Sequence, residues 1–173
     1  MQIFILGKTK SGKSSLAAKL KTCDFEIYEA GSWARNEFSK INKDVSDEMS
    51  IIFKNNLTNY ALSILKTNPL YSFEKYIEFR NNNKNLKNIV ISGVRNPDDF
   101  IRMIEQDDNN LVLFLKSSKE YENGDLTNFE DGISVIKAYI QWKQQFLKLD
   151  YLEIDENADF NDVLNDLIIK KLI

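Results

Sequence analysis

Gly7, Gly12, Lys13 and Ser14 stand at the spacing G-x-x-x-x-G-K-[ST], in Gly7-Lys8-Thr9-Lys10-Ser11-Gly12-Lys13-Ser14, directly after the apolar run Ile3-Phe4-Ile5-Leu6. The chemistry of that pattern is the cradling of nucleotide phosphates. The two glycines let the backbone turn tightly and approach phosphate oxygens that a Cβ would hold off. The loop amides from Lys10 and Ser11 through Gly12 to Lys13, Ser14 and Ser15, at the start of the helix that must follow, form a concave anion site. Lys13 would reach the β- and γ-phosphates of ATP, and the Ser14 hydroxyl would be a ligand to Mg²⁺.

Two arginines and one carboxylate are the other candidates. The chain has only four arginines, Arg35, Arg80, Arg95 and Arg102. Arg35 closes the segment Ala30-Gly31-Ser32-Trp33-Ala34-Arg35 and Arg95 lies in Ser92-Gly93-Val94-Arg95-Asn96-Pro97, each just after a predicted strand. A guanidinium fork makes paired hydrogen bonds to phosphate oxygens that lysine cannot reproduce. Glu29 ends the strand before Arg35 and could accept a proton from a hydroxyl. There is no histidine, so any proton transfer must use Asp, Glu, Lys, Tyr or solvent. The single cysteine, Cys23, rules out an internal disulfide and a cysteine-cluster zinc site, and reads as a small structural hydrophobe.

The elements that must position these residues are legible. Besides Ile3–Leu6, strands are predicted at Phe25-Glu26-Ile27-Tyr28, Asn88-Ile89-Val90-Ile91, Leu111-Val112-Leu113-Phe114-Leu115 and Tyr151-Leu152-Glu153-Ile154. Unbroken apolar strands suit a parallel sheet covered on both faces. Helical spacing unites Leu16, Ala17 and Leu20; Met49, Phe53, Leu57, Tyr60, Ala61 and Ile64; Ile133, Ile136 and Ile140; and Phe160, Val163, Leu164, Leu167, Ile168 and Leu172, the last set behind Asp159 as N-cap. The alternation implies a doubly wound α/β sheet with ligands beyond the carboxyl ends of the strands. The aromatic cluster Tyr71, Phe73, Tyr76 and Phe79 reads as packing, while Trp33, beside the Arg35 motif, is a candidate to stack on a base.

With 173 residues, 43% hydrophobic and 28% charged, the chain reads as one globular domain. No apolar run approaches the ~20 residues of a membrane span, and Met1 leads at once into a strand, so a cytoplasmic protein is expected. The net charge of −3 favours a small-molecule partner over nucleic acid.

The phosphate loop with the Gly31/Arg35 and Gly93/Arg95 motifs resembles the nucleoside monophosphate kinase family, adenylate kinase-like and phage deoxynucleotide kinase-like. The resemblance covers nearly the whole chain in order of elements, but only these three motifs in residues. It implies a P-loop NTPase fold with about five parallel strands, ATP and Mg²⁺ on the loop, and a helical acceptor-binding insertion over about 41–80. A short lid is implied over about 117–130. In that family the two arginines grip the acceptor's phosphate, which makes Lys13 and Arg95 catalytic candidates and Gly31, Trp33, Arg35 and Arg95 substrate-binding candidates. The sequence departs from the family in three ways. Ser92 or Gly93 stands where an aspartate usually holds Mg²⁺ through water, the lid lacks arginines, and Glu29 occupies the place where alcohol-phosphorylating kinases keep a general base. The leading expectation is γ-phosphoryl transfer to a nucleoside or deoxynucleoside monophosphate. A hydroxyl acceptor, on a nucleoside, a dephospho-coenzyme or a modified base in DNA, stays open, with Glu29 as its base. A nucleotide-dependent switch ranks below both, since Asn42-Lys43-Asp44 lacks the spacing of a guanine-reading motif.

Overall fold

The computed structural model describes residues 1–8, 11–41, 51–117, 127–145 and 149–173. Thr9, Lys10, Asn42-Lys43-Asp44, Met49 and the lid positions 118–126, Lys119 among them, lie outside these. The expected alternation is present. In chain order the elements are β1 (Gln2–Gly7), α1 (Lys13–Lys21), β2 (Glu26–Glu29), α2 (Ser32–Ile41), α3 (Ile51–Thr67), α4 (Tyr71–Asn82), β3 (Ile89–Ser92), α5 (Pro97–Ile104), β4 (Asn110–Leu115), α6 (Thr127–Gln144), β5 (Asp150–Ile154) and α7 (Phe160–Ile169).

The five strands form one sheet in the order β2-β3-β1-β4-β5, every pair parallel. The apolar runs of β1, β3 and β4 occupy its centre, where both faces must be covered. Strand alternation divides the core in two. Phe4, Leu6, Tyr28, Ile89, Ile91 and Val112 face α4, α5 and α6 through Tyr76, Phe100, Ile104, Ile136 and Ile140. Ile3, Ile5, Val90, Leu111, Leu113 and Leu115 face α1 and α7 through Leu16, Ala17, Leu20 and Leu167. Burying each such side chain is worth roughly 1.5–3 kcal/mol, so the sheet is the rigid platform of the molecule.

Differences from the sequence reading are local. The predicted lid ends inside α6, since residues 127–130 are already helical. The C-terminal stripe is narrower than its spacing suggests: α7 stops at Ile169, Ile168 is half exposed, and Leu172 returns to the core after a turn in which its N–H donates to the Leu167 carbonyl. Asp159 caps α7 as expected, accepting from the Asn161 N–H at 2.7 Å. The insertion between β2 and β3 consists, among the described residues, of α3 and α4 after the end of α2.

Candidate active site

β1 delivers the chain to its carboxyl edge at Gly7, and the loop returns into α1 at Gly12. Both glycines are obligatory on geometry. Gly7 has φ 145°, and a Cβ there would lie 2.7 Å from the Leu115 carbonyl oxygen and 2.8 Å from Ser11 Oγ. Gly12 has φ 90°, and its Cβ would lie 2.8 Å from the Phe160 ring. Gly7 is thus packed by β4, and Gly12 by the first residue of α7.

The helix that follows is open to an anion. Gly12 is its N-cap without a side-chain acceptor, and no acidic residue stands in the first turn. The first intrahelical bond runs from the Leu16 N–H to the Gly12 carbonyl, so the amides of Lys13, Ser14 and Ser15 precede the ladder and carry the partial positive charge of the helix end. Ser11 Oγ is buried without a hydrogen-bond partner. An orphaned hydroxyl under a glycine-lined cradle fits a phosphate group. Ser14 is exposed in the first turn of the same helix.

Lys13 spans the loop: its ammonium donates to the carbonyls of Gly7 at 2.9 Å and Lys8 at 2.5 Å. Burial, and then the positive charge of Arg95, bring it down from 10.5 to about 8. Arg95, at the far end of the β3 turn, therefore stands near enough to the phosphate loop to be felt there. Asn96 fixes the segment by accepting the Asp98 N–H at 3.0 Å as N-cap of α5, with Pro97 at the start of that helix.

Strand register places Glu29 beside Ser92, and Ser92 beside Ile5, two residues short of Gly7. The carboxylate of Glu29 accepts from Arg35 Nη1 at 3.5 Å, both side chains half exposed. Such a pair is worth about 0–1 kcal/mol in water, so a phosphate dianion can displace Glu29 from Arg35. A Cβ at Gly31 would meet nothing. Trp33 is 7% exposed with its ring edge-on to Tyr71 at 5.0 Å, which makes it part of the packing of α2 on α4. The cluster on α4 is packing too: Tyr76 is fully buried, and Phe73 and Phe79 lie against the core.

Three neighbours escaped the sequence reading. Phe160 fills the space over Gly12. Lys116, at the end of β4, pairs with Glu153 at 3.3 Å and Asp155 at 3.1 Å, tying the base of the loop before α7 to the sheet. Asp99, in the first turn of α5, is buried; that burial raises its carboxyl to about 6, against the opposing hydrogen bond from Ser72 of α4. Only Asp99 had a local signal, the Asn96-Pro97-Asp98-Asp99 helix start.

No family model matches the chain, and no curated protein matches it. Solved structures do. A shikimate kinase from Aquifex aeolicus superposes with a TM-score of 0.51 at 14% identity, over 99% of this chain and 96% of that one. The chain has the shikimate kinase-like P-loop NTPase fold. A sugar kinase from Janibacter sp. is also similar, with a TM-score of 0.46 and 12% identity over 99% of this chain and 94% of that one. Both of these proteins are kinases by name. At such identities the likeness describes the sheet and its helices, and the roles of individual residues rest on the geometry above.

Proposed function

We propose that the chain is a phosphotransferase that moves the γ-phosphoryl group of ATP onto the phosphate of a nucleoside or deoxynucleoside monophosphate. The observation that carries this reading is the glycine-walled helix start without a side-chain cap, with Lys13 bonded to the Gly7 and Lys8 carbonyls beside it; the charge of Arg95 is felt at Lys13. Positive charge gathered at a helix start favours a polyanion there. The phosphates of a donor and an acceptor are such a polyanion.

In this reading the loop amides and Lys13 hold the β- and γ-phosphates, and Arg95 neutralises charge on the group in transit. Arg35 takes the acceptor phosphate in exchange for its loose contact with Glu29. An acceptor phosphate oxygen forms a bond to the γ-phosphorus as the bond to the β,γ-bridging oxygen breaks, and ADP leaves. No proton has to be removed. The Ser14 hydroxyl would hold Mg²⁺, which when bound supplies charge neutralisation at the phosphate oxygens. Among the described residues no helix is long and apolar enough to cross a membrane.

The position of Glu29 favours a second reading, in which the acceptor is a hydroxyl and the carboxylate takes its proton. Against it, Glu29 Oε2 already accepts from Arg35 Nη1 at 3.5 Å. The experiment that tests the proposal is incubation with γ-labelled ATP, Mg²⁺ and each common ribo- and deoxyribonucleoside monophosphate, with the products separated. Label in a nucleoside diphosphate supports it; label confined to inorganic phosphate or to hydroxyl acceptors contradicts it.

A further inference from the structure

We infer that Gly132 is a positioning residue for Arg95: the absence of a side chain there lets α6 rest on the Arg95 main chain and sets where the guanidinium stands. This rests on the reading of Arg95 as a phosphate-binding arginine. Gly132 lies inside an 18-residue helix and is buried. A glycine inside a helix costs about 1 kcal/mol relative to alanine, so a packing reason is needed for it. The reason is on the adjoining segment. A Cβ at Gly132 would stand 2.8 Å from the Arg95 carbonyl oxygen, and 3.6 Å and 3.8 Å from Cδ and Cγ of Pro97.

Neither neighbour can yield as a flexible side chain would. The oxygen is backbone, and the proline ring opens α5, which Asn96 caps. Beyond Gly132, α6 is fastened to the sheet by Ile136 and Ile140, 0% and 1% exposed, and its Tyr139 meets the buried Phe100 of α5 edge-on at 6.2 Å. On the other side of the contact stands the turn from Gly93 to Asn96, in which Val94 is buried and Arg95 is exposed. Gly93 has φ 77°, and nothing lies within 4 Å of where its Cβ would be. A methyl group at Gly132 therefore displaces Arg95 rather than α6. None of the atoms nearest the added Cβ belongs to β1 or α1, so the change reaches the phosphate site through Arg95.

The test is Gly132→Ala in the full chain, alone and combined with Arg95→Lys. Thermal unfolding is read first, then KM and kcat for Mg·ATP and for the monophosphate acceptor, then the Arg95 Nε–H resonance, assigned by its loss in Arg95→Lys. The expected result is an unfolding midpoint within a few degrees of wild type, a roughly tenfold loss in kcat/KM for the acceptor and a displaced Arg95 resonance. The double variant should be no worse than Arg95→Lys alone, since both changes act through one side chain. Wild-type acceptor kinetics with an unmoved resonance overturn the inference, as do losses that multiply in the double variant. Should the wild type phosphorylate no monophosphate, the resonance still decides: movement upholds the placement while the kinase reading falls. Should Gly132→Ala not fold, Pro97→Ala, which removes the ring against Gly132, is expected to move the same resonance by a smaller amount, and an unmoved resonance there overturns the inference.

Discussion

The positive charge of Arg95, at the carboxyl end of β3, bears on the ammonium of Lys13 in the phosphate loop and, after burial, is the second cause of its fall to about 8. Two groups that follow different strands, Lys13 at the start of α1 and Arg95 in the turn after β3, thus share one electrostatic environment. The sign follows. The fold disfavours charged Lys13, so the cost is present below about pH 8 and is relieved as pH rises towards 10.5. A bound polyanion reverses the preference. Mg·ATP affinity is therefore expected to fall above about pH 8, and binding near pH 8.5 to take up protons, which calorimetry in buffers of different ionisation enthalpy measures. Arg95→Gln should move this limb to higher pH. Binding without proton uptake would contradict the pairing.

Lys13→Ala should abolish transfer while the protein stays folded. Among the described residues the ammonium bonds to the carbonyls of Gly7 and Lys8, and its removal relieves a partly desolvated cation. Circular dichroism and a thermal melt check the fold. Near wild-type turnover in the variant would remove the phosphate role.

Arg35→Lys and Arg95→Lys keep charge but lose the fork. Each charge-assisted hydrogen bond is worth roughly 1.5–3 kcal/mol, so kcat/KM for a phosphorylated acceptor should drop about tenfold or more in each. Steady-state kinetics at saturating Mg·ATP provide the measurement. Unchanged acceptor constants in both would sink the monophosphate reading.

Glu29→Gln separates the two acceptor chemistries. With a phosphate acceptor the carboxylate removes no proton, and the variant should keep activity within about tenfold. General-base loss typically costs ~10²–10⁴-fold. A drop of three orders of magnitude with Mg·ATP affinity intact would transfer the assignment to a hydroxyl acceptor.

Asp99 makes a prediction about stability. Burial raises its carboxyl from 3.8 to about 6, with Asp98 adding to the rise while Ser72 and Arg102 oppose it. Between those values the folded state binds the extra proton, so this group's contribution to stability falls as pH rises from about 4 to about 6. It remains a cost on the order of 2–3 kcal/mol at neutral pH. Asp99→Asn should remove that component, seen in urea melts from pH 4 to 7 as a difference between variant and wild type that grows with pH. A difference independent of pH would contradict it.

What was legible in the sequence is what is local. The phosphate loop is contiguous, and β1, β3 and β4 are buried on both faces, so their apolar runs announce them. The start of α5 was also written locally, in Asn96-Pro97-Asp98-Asp99, but Pro97–Ile104 is short enough to pass for the tail of an arginine motif. Trp33 was ambiguous because a buried indole and a stacking indole look alike until Tyr71 is seen against it. The contacts of Gly12 with Phe160 and of Gly132 with Arg95 had no local signal at all. Each joins residues far apart in the chain, and only the sheet order brings them together.

The central claim is that the site is built for a phosphate on the acceptor, and its most direct test is a ratio. For wild-type protein at saturating Mg·ATP, kcat/KM is measured for a nucleoside monophosphate and for the parent nucleoside. A nucleoside forfeits the charge-assisted hydrogen bonds that its phosphate would make with Arg35 and Arg95, so the account predicts a ratio of at least about 10² in favour of the monophosphate. A ratio at or below one would contradict it.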